Sequence, residues 1–203
     1  MKLLLATNNA HKAQEIREIL GDNFSELLTM QEAGVELEVE EDGLTFQENA
    51  LKKASETLAF VGGRFDAVLA DDSGLCVDAL DGAPGVYSAR FSGEAHNDAA
   101  NNAHLIALLK DVPDAQRTAR FCCCIALARN NAKPVVVLGE VPGTILHEAH
   151  GANGFGYDPY FYYAPLKKSF AELTADEKNA VSHRKRALLK LKEALDVEHR
   201  CDL

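Results

Sequence analysis

With 203 residues, 47% of them hydrophobic, the chain is long enough to bury a full core and reads as one domain, or as one domain with a lobe. Its formal charge of −10 argues against a nucleic-acid polymer as partner, which would need a basic stripe, but leaves room for a small phosphorylated ligand held by a few local cations or a metal. No segment approaches the roughly 18 apolar residues of a membrane span, so no membrane is expected as partner.

The apolar run Met1–Ala6 is too short for a signal peptide and meets Thr7-Asn8-Asn9 at once. It reads as a first buried strand, and the protein as cytoplasmic. The five cysteines, three of them consecutive at Cys122–Cys124, fit neither a disulfide framework nor a zinc-ligand spacing. They read as small strand residues in a reducing compartment. After the turn Thr7–Lys12, the spacing Ala13, Ile16, Ile19/Leu20 is helical and stops at Gly21. A strand, a polar turn and a helix start present free N–H groups and a positive dipole end to an anion, and Lys12 adds a full charge. The glycines of a phosphate-binding P-loop are missing, so an ordinary capped helix start is the alternative.

Val35–Glu40 alternates apolar and acidic residues, which predicts a half-buried strand ending in Glu40-Glu41-Asp42-Gly43. Thr45-Phe-Gln-Glu48 is a capping box. It opens a helix through Phe46, Ala50, Ala54 and Leu58 that closes at Gly62-Gly63, with Lys52 and Lys53 midway. Ala67–Ala70 predicts a short buried strand that ends in Asp71-Asp72-Ser73-Gly74. Successive strand side chains face opposite ways, so one aspartate faces the ligand and the other is structural. Gly74 is expected to let the backbone turn. Two acidic strand ends suit Mg²⁺ if they converge, because that ion takes carboxylate oxygens together with substrate phosphates; solvated acids are the alternative.

Asp98 or Asn97 caps a helix that runs to Lys110. Ala119–Ala128 predicts a central strand and Pro134–Val141 its partner, with a bulge or bend at Gly139 or Pro142-Gly143. Gly151–Pro159 sets three glycines around two aromatics, which allows a ring to stack on a flat ligand; aromatics packed inward are the alternative. Tyr160–Tyr163 predicts a short aromatic strand. Thr174-Ala-Asp-Glu177 is a second capping box, and Leu188, Leu191 and Leu195 mark the core face of a last helix. On one continuous helix Lys178, His183 and Arg184 would fan apart, so a shared ligand requires a break near 179–181. The end, 198–203, reads as frayed.

The motifs Thr7-Asn-Asn-Ala-His-Lys12, Glu41-x-Gly43-x-Thr-Phe46-x-Glu-Asn49-Ala with Lys53, and Ala70-Asp-Asp-Ser-Gly74 come in sequence. They are followed by Gly82-Ala-Pro-Gly-x-Tyr-Ser-Ala-Arg90, Gly139-x-x-x-Gly143-x-Ile145, Gly154-Phe-Gly-Tyr-Asp-Pro159 and Ser182-His-Arg184. In these motifs, which span nearly the whole chain, it resembles the inosine triphosphate pyrophosphatase family, hydrolases of non-standard purine nucleoside triphosphates. Asn8 departs from the pattern, since bacterial relatives often carry glycine there.

The resemblance implies an α/β fold, an elongated mixed β-sheet flanked by helices, in two lobes around a deep active-site cleft. One pyrophosphatase domain would cover residues 1–203, with the second lobe over roughly 119–165, and the family is usually homodimeric. Thr7, Asn8, Asn9, Ala10, His11 and Lys12 would hold the triphosphate with Lys53. Glu41, joined by Glu40, and Asp72 would bind Mg²⁺, and Asp72 would accept the proton. Ser73 would touch the substrate, and Phe155, Gly156, Tyr157 and Asp158 the base. Lys178, His183 and Arg184 would read the 6-oxo group. ITP, dITP and XTP would then give monophosphate and pyrophosphate by water attack at the α-phosphorus. A related pyrophosphatase for modified pyrimidine or methylated nucleotides, and a nucleotide sensor without turnover, are the other readings.

Overall fold

The computed structural model describes residues 1–7, 9–94 and 97–201. The first apolar run forms β1 (Lys2–Leu5), which pairs in parallel with β2 (Glu26–Thr29) on one side and β3 (Ala67–Val77) on the other. The later strands are β4 (Thr118–Arg129), β5 (Val135–Ile145), β6 (Phe161–Tyr163) and β7 (Lys168–Ser169). Among the described residues they make one seven-stranded sheet in the order β2-β1-β3-β4-β5-β6-β7. Because β5/β6 and β6/β7 pair antiparallel, the sheet is mixed, as the resemblance implies. The chain falls into two units, Met1–Asp72 with Cys123–Gly139 and Arg184–Leu203, and Ser73–Cys122 with Glu140–His183.

Strand alternation builds the first unit. Leu3, Leu5, Leu69 and Ile125 pack on one face against Ile16 and Leu20 of α1 (Ala10–Leu20) and Leu188 and Leu191 of α5 (His183–Cys201). Leu4, Val68, Ala70 and Ala126 point to the other face, against Ala50, Ala54 and Val61 of α2 (Phe46–Val61). Both faces of these parallel strands are covered, which is why their sequence reads as near-continuous apolar runs. In the second unit Leu75, Val77, Phe121 and Val141 gather Leu105 of α3 (Asp98–Leu108) and the aromatic group Phe161, Tyr163 and Phe170. Arg117 is buried there as a staple: its guanidinium donates to the carbonyls of Ile145 (2.7 Å), Leu109 (2.7 Å) and Leu146 (3.0 Å).

Both capping boxes form, at Thr45 and at Thr174 ahead of α4 (Ala175–Val181), and Asn97 caps α3. The break expected near 179–181 falls at Ser182, whose φ −63° and ψ 152° are extended, so α4 stops and α5 starts at His183. Three expectations are corrected. Val35–Glu40 is coil and has no place in the sheet; its alternation survives only as burial, with Val35 and Leu37 packed inward on the α2 side while Glu36, Glu38 and Glu40 face solvent. β3 does not end at Ala70 but runs on to Val77, so Gly74 is a strand residue; both aspartates find partners inside the fold, and the ladder continues through them. β5 does not stop at Val141 but continues through Pro142 to Ile145. α5 extends to Cys201, and Asp202 and Leu203, part of the expected frayed end, lie outside the described residues. Among the described residues no helix is long and apolar enough to cross a membrane.

Arg117→Met keeps the volume but removes all three bonds, taking the guanidinium from the buried Ile145 and half-buried Leu146 carbonyls, while that of Leu109 still accepts the Val112 N–H at 3.1 Å. It is expected to lower the free energy of unfolding by about 3 kcal/mol or more, measured by urea denaturation.

Candidate active site

Because β1 and β3 are parallel with Leu5 opposite Leu69, β1 ends at its carboxyl end beside the stretch of β3 that carries Asp71 and Asp72, the kind of place where open α/β sheets take ligands. After β1 the Thr7 hydroxyl accepts the Asn9 N–H at 3.1 Å, and the Asn9 side chain accepts the Lys12 N–H at 3.1 Å, which caps α1. Lys12 therefore sits in the first turn, and its ammonium lies 2.8 Å from the Asp71 carboxylate. Ala10 and His11 belong to the same turn by their backbone, while their side chains, and all of Asn8, lie outside the described residues.

Asp71 and Asp72 diverge as the pleat requires. Asp71 joins the face of α1 and α5, where the Arg184 guanidinium, 3.5 Å away, and Lys12 bracket it; Arg184 also holds Glu15 of α1 at 2.9 Å. Burial alone would raise the Asp71 carboxyl, but Lys12 and Arg184 outweigh it and hold it below the usual carboxylate range. Arg184 is correspondingly raised: burial opposes its charge, and Asp71 more than restores it.

Asp72 joins the face of α2, where it accepts from Asn49 Nδ2 at 2.9 Å. Burial pushes its carboxyl up to about 6, and the charge of Glu41 adds to that, while Asn49, Lys53 and Lys12 pull the other way. Beneath the two acids lie the buried thiols Cys123 and Cys124 of β4, an apolar floor that keeps solvent from relieving the burial. Adjacent aspartates driven to opposite ends of the carboxylate range are the pattern of one fixed counter-ion and one proton acceptor.

Lys53, one helical turn beyond Asn49, ion-pairs with Glu41 and donates to the Asp71 carbonyl at 3.3 Å. It is therefore tied to both acidic segments from its place in mid-helix. Glu40 is exposed, and Lys52 on that side is held by Asp42 at 2.6 Å. Between the two candidate glutamates, Glu41 is the one that meets Lys53 and acts on Asp72. Among the described residues no three His, Cys, Asp or Glu form a group able to hold a metal by themselves. Glu41 and Asp72 are thus a two-carboxylate set of hard oxygens, the protein share Mg²⁺ commonly takes when phosphate and water complete its shell.

In the second unit, where Ser73 sits half-buried in β3, the glycine-rich loop divides its aromatics. Phe155 is exposed, with the Lys178 ammonium 4.5 Å from its ring centre. Tyr157 is buried and donates to the Ser88 carbonyl at 2.8 Å; burial pushes its hydroxyl up. Asp158 is buried and accepts from the Phe155 N–H at 2.9 Å and from Lys178 at 2.5 Å; burial raises its carboxyl against these donors. So one ring stacks outward and the other is core. His183 is buried with its ring stacked on Phe121 at 5.1 Å.

Four residues escaped the sequence reading. Asn49 and Glu15 are described above, and Asp98 and Asn102, one turn apart on α3, take the Gly156 N–H (2.7 Å) and carbonyl (2.8 Å). For Asn49 and Asn102 the available signal was an amide beside the apolar stripe of its helix, where a buried amide must have a partner.

Residues 3–194 match the model of a family described as the Ham1 family. The "dITP/XTP pyrophosphatase" of Clostridium perfringens is 50% identical over 96% of this chain and 97% of its own length, and that of Desulforamulus reducens 51% identical over 97% and 96%. Among solved structures, the Staphylococcus aureus Ham1 protein is 37% identical with a TM-score of 0.89, covering 98% of this chain and 100% of its own. A nucleoside-triphosphatase, or dITP/XTP pyrophosphatase, from Mycobacterium abscessus is 46% identical with a TM-score of 0.79 over 94% and 98%.

The raised Asp72 carboxyl has a consequence for stability. Its folded value, about 6, exceeds the unfolded one, so its contribution is favourable below about pH 4 and is lost as pH rises through 6. Asp72→Asn, without added divalent cation, is therefore expected to raise the free energy of unfolding at pH 8 by up to about 3 kcal/mol and to leave it unchanged at pH 4, measured by urea denaturation.

Proposed function

Because the chain belongs to the Ham1 family, we propose that it hydrolyses non-standard purine nucleoside triphosphates, ITP, dITP and XTP, to the nucleoside monophosphate and pyrophosphate. The names of its relatives support this substrate class. The observation that carries the chemistry is the divergence of the two aspartates, one locked as an anion between Lys12 and Arg184, the other raised to about 6.

Residues of the first unit take the triphosphate: Thr7, Asn8, Asn9, Ala10 and His11, with Lys12 and Lys53 as the charges. Lys12 and Lys53 rest on Asp71 and Glu41 and are held in place for an incoming polyanion. Held cations need no rearrangement as negative charge develops, the electrostatic share of catalysis. Glu41 and Asp72 hold the divalent cation, Mg²⁺. The like-charge pressure of Glu41 on Asp72 is what a cation bound by both would relieve. Bound there, the ion supplies charge neutralisation on the leaving group and a more acidic attacking water.

Asp72 accepts the proton of the attacking water. Its carboxyl, raised to about 6 with no cation beside it, is mostly ionised at neutral pH, and a cation held with Glu41 would lower it further and keep it an anion able to take a proton. Arg184 serves through Asp71, whose charge it holds. Ser73, Phe155, Gly156, Tyr157, Asp158, Lys178 and His183 form the base side, with Phe155 as the stacking ring and Lys178 as the donor to the 6-oxo group. A 6-amino group in that place faces the half-buried Lys178 donor with another donor, a loss of roughly 1–3 kcal/mol. The homodimer and the cytoplasmic location follow from the resemblance and the cysteine usage.

With Mg²⁺, pyrophosphate release from ITP, dITP and XTP should exceed that from ATP by about 10-fold to 100-fold, the equivalent of one unpaired donor. UTP, dTTP and GTP complete the panel. Hydrolysis of UTP or dTTP at the rate of ITP would overturn the purine assignment. Asp72→Asn is expected to abolish turnover while remaining folded by circular dichroism.

A further inference from the structure

Asn49 lies in the first turn of α2 with 1% of its surface exposed, a position where an unpaired amide is costly. Both ends of the amide are engaged. Nδ2 donates to Asp72 Oδ2 at 2.9 Å, and Oδ1 accepts from the Gly43 N–H at 2.7 Å. Gly43 is two residues past Glu41, so one side chain ties the segment bearing Glu41 to the carboxylate of Asp72. The backbone at 43 is matched to this contact: a Cβ there would lie 2.6 Å from Asn49 Oδ1 and 2.8 Å from the Glu48 Cβ.

We propose that Asn49 is a positioning residue for the hydrolysis, setting the separation of the two carboxylates through which the cation is held. The inference rests on the reading of Glu41 and Asp72 given above. Asn49 acts through its two partners, the Asp72 carboxylate and the Gly43 N–H. Its type follows from the two bonds. One neighbour is an acceptor and the other a donor, so the bridge must donate and accept at once. Aspartate would set a second negative charge against Asp72, leucine would leave both groups unpaired, and glutamine is one methylene too long for the gap. Lys53, one turn on, repeats the link by joining Glu41 to the Asp71 carbonyl, so α2 grips both acidic segments along one line.

The test compares wild type, Asn49→Ala, Gly43→Ala and Asp72→Asn as full-length proteins. Mn²⁺ binding without nucleotide is followed by the EPR signal of the free ion, and kcat and KM for ITP are measured at saturating Mg²⁺. Asn49→Ala and Gly43→Ala are each expected to weaken Mn²⁺ binding about 10-fold and to lower kcat about 10-fold to 100-fold, with KM for ITP changed by less than about threefold. A purely structural role would lower the melting temperature and leave Mn²⁺ affinity and kcat alone; that result overturns the inference. So does unchanged Mn²⁺ affinity in both variants, or no Mn²⁺ binding by wild type. If Asn49→Ala does not fold, Gly43→Ala, whose change lies outside the core, decides. Turnover by Asp72→Asn would instead sink the reading of the site itself, whereas an inactive Asp72→Asn beside an unimpaired Asn49→Ala sinks only the role of Asn49.

Discussion

The ion pairs around Asp71 are the constraint from which the first unit takes its shape. A carboxylate with 2% of its surface exposed would cost several kcal/mol if alone, and it persists because Lys12 of α1 and Arg184 of α5 both reach it. Those contacts demand that β3 carry an acid inside the sheet, that α1 begin at Asn9, and that α5 begin just before Arg184. The extended Ser182 meets the last demand, since it frees α5 to start on its own axis. Glu15 adds a second anchor for Arg184, so the guanidinium is shared between a strand and a helix.

With Asp71 fixed as an anion on one face, the pleat delivers Asp72 to the other, where the surroundings are opposite in character. Among the described residues no cation is ion-paired with it; it has an amide from Asn49, buried surroundings and the charge of Glu41 nearby. Two identical residues in sequence thereby become chemically different groups. In Asp71 the folded state stabilises charge, and in Asp72 it resists charge until a proton or a cation arrives. That resistance destabilises the fold above pH 4, and a group strained in this way is one a ligand can relieve.

The second unit is organised by packing instead of charge. Phe121, Phe161, Phe170 and the His183 ring form its aromatic centre, and Arg117 ties the surrounding carbonyls. From that support the glycine-rich loop is held at both sides of Gly156 by α3, with φ at +60° there, a conformation that suits glycine. Phe155 is left outward beneath Lys178, and Tyr157 is drawn in. The ring of Phe155 and the ammonium of Lys178 from α4 together suit a flat, oxygen-bearing ligand.

Sequence alone determined what depends on neighbours within a few residues: the capping boxes at Thr45 and Thr174, strands beginning near Leu3 and at Ala67, the opposed facing of Asp71 and Asp72, and the need for a break before His183. Its motifs also carried the family, because they hold their order along the chain. Only the tertiary structure decided which groups meet. Asn49 and Asp72 are 23 residues apart, and Arg184 and Glu15 are 169. Such pairings are set by which strands and helices pack together, a property no local pattern encodes. The same reason explains Val35–Glu40, where alternation correctly marked the inward side chains but could not supply a neighbouring strand.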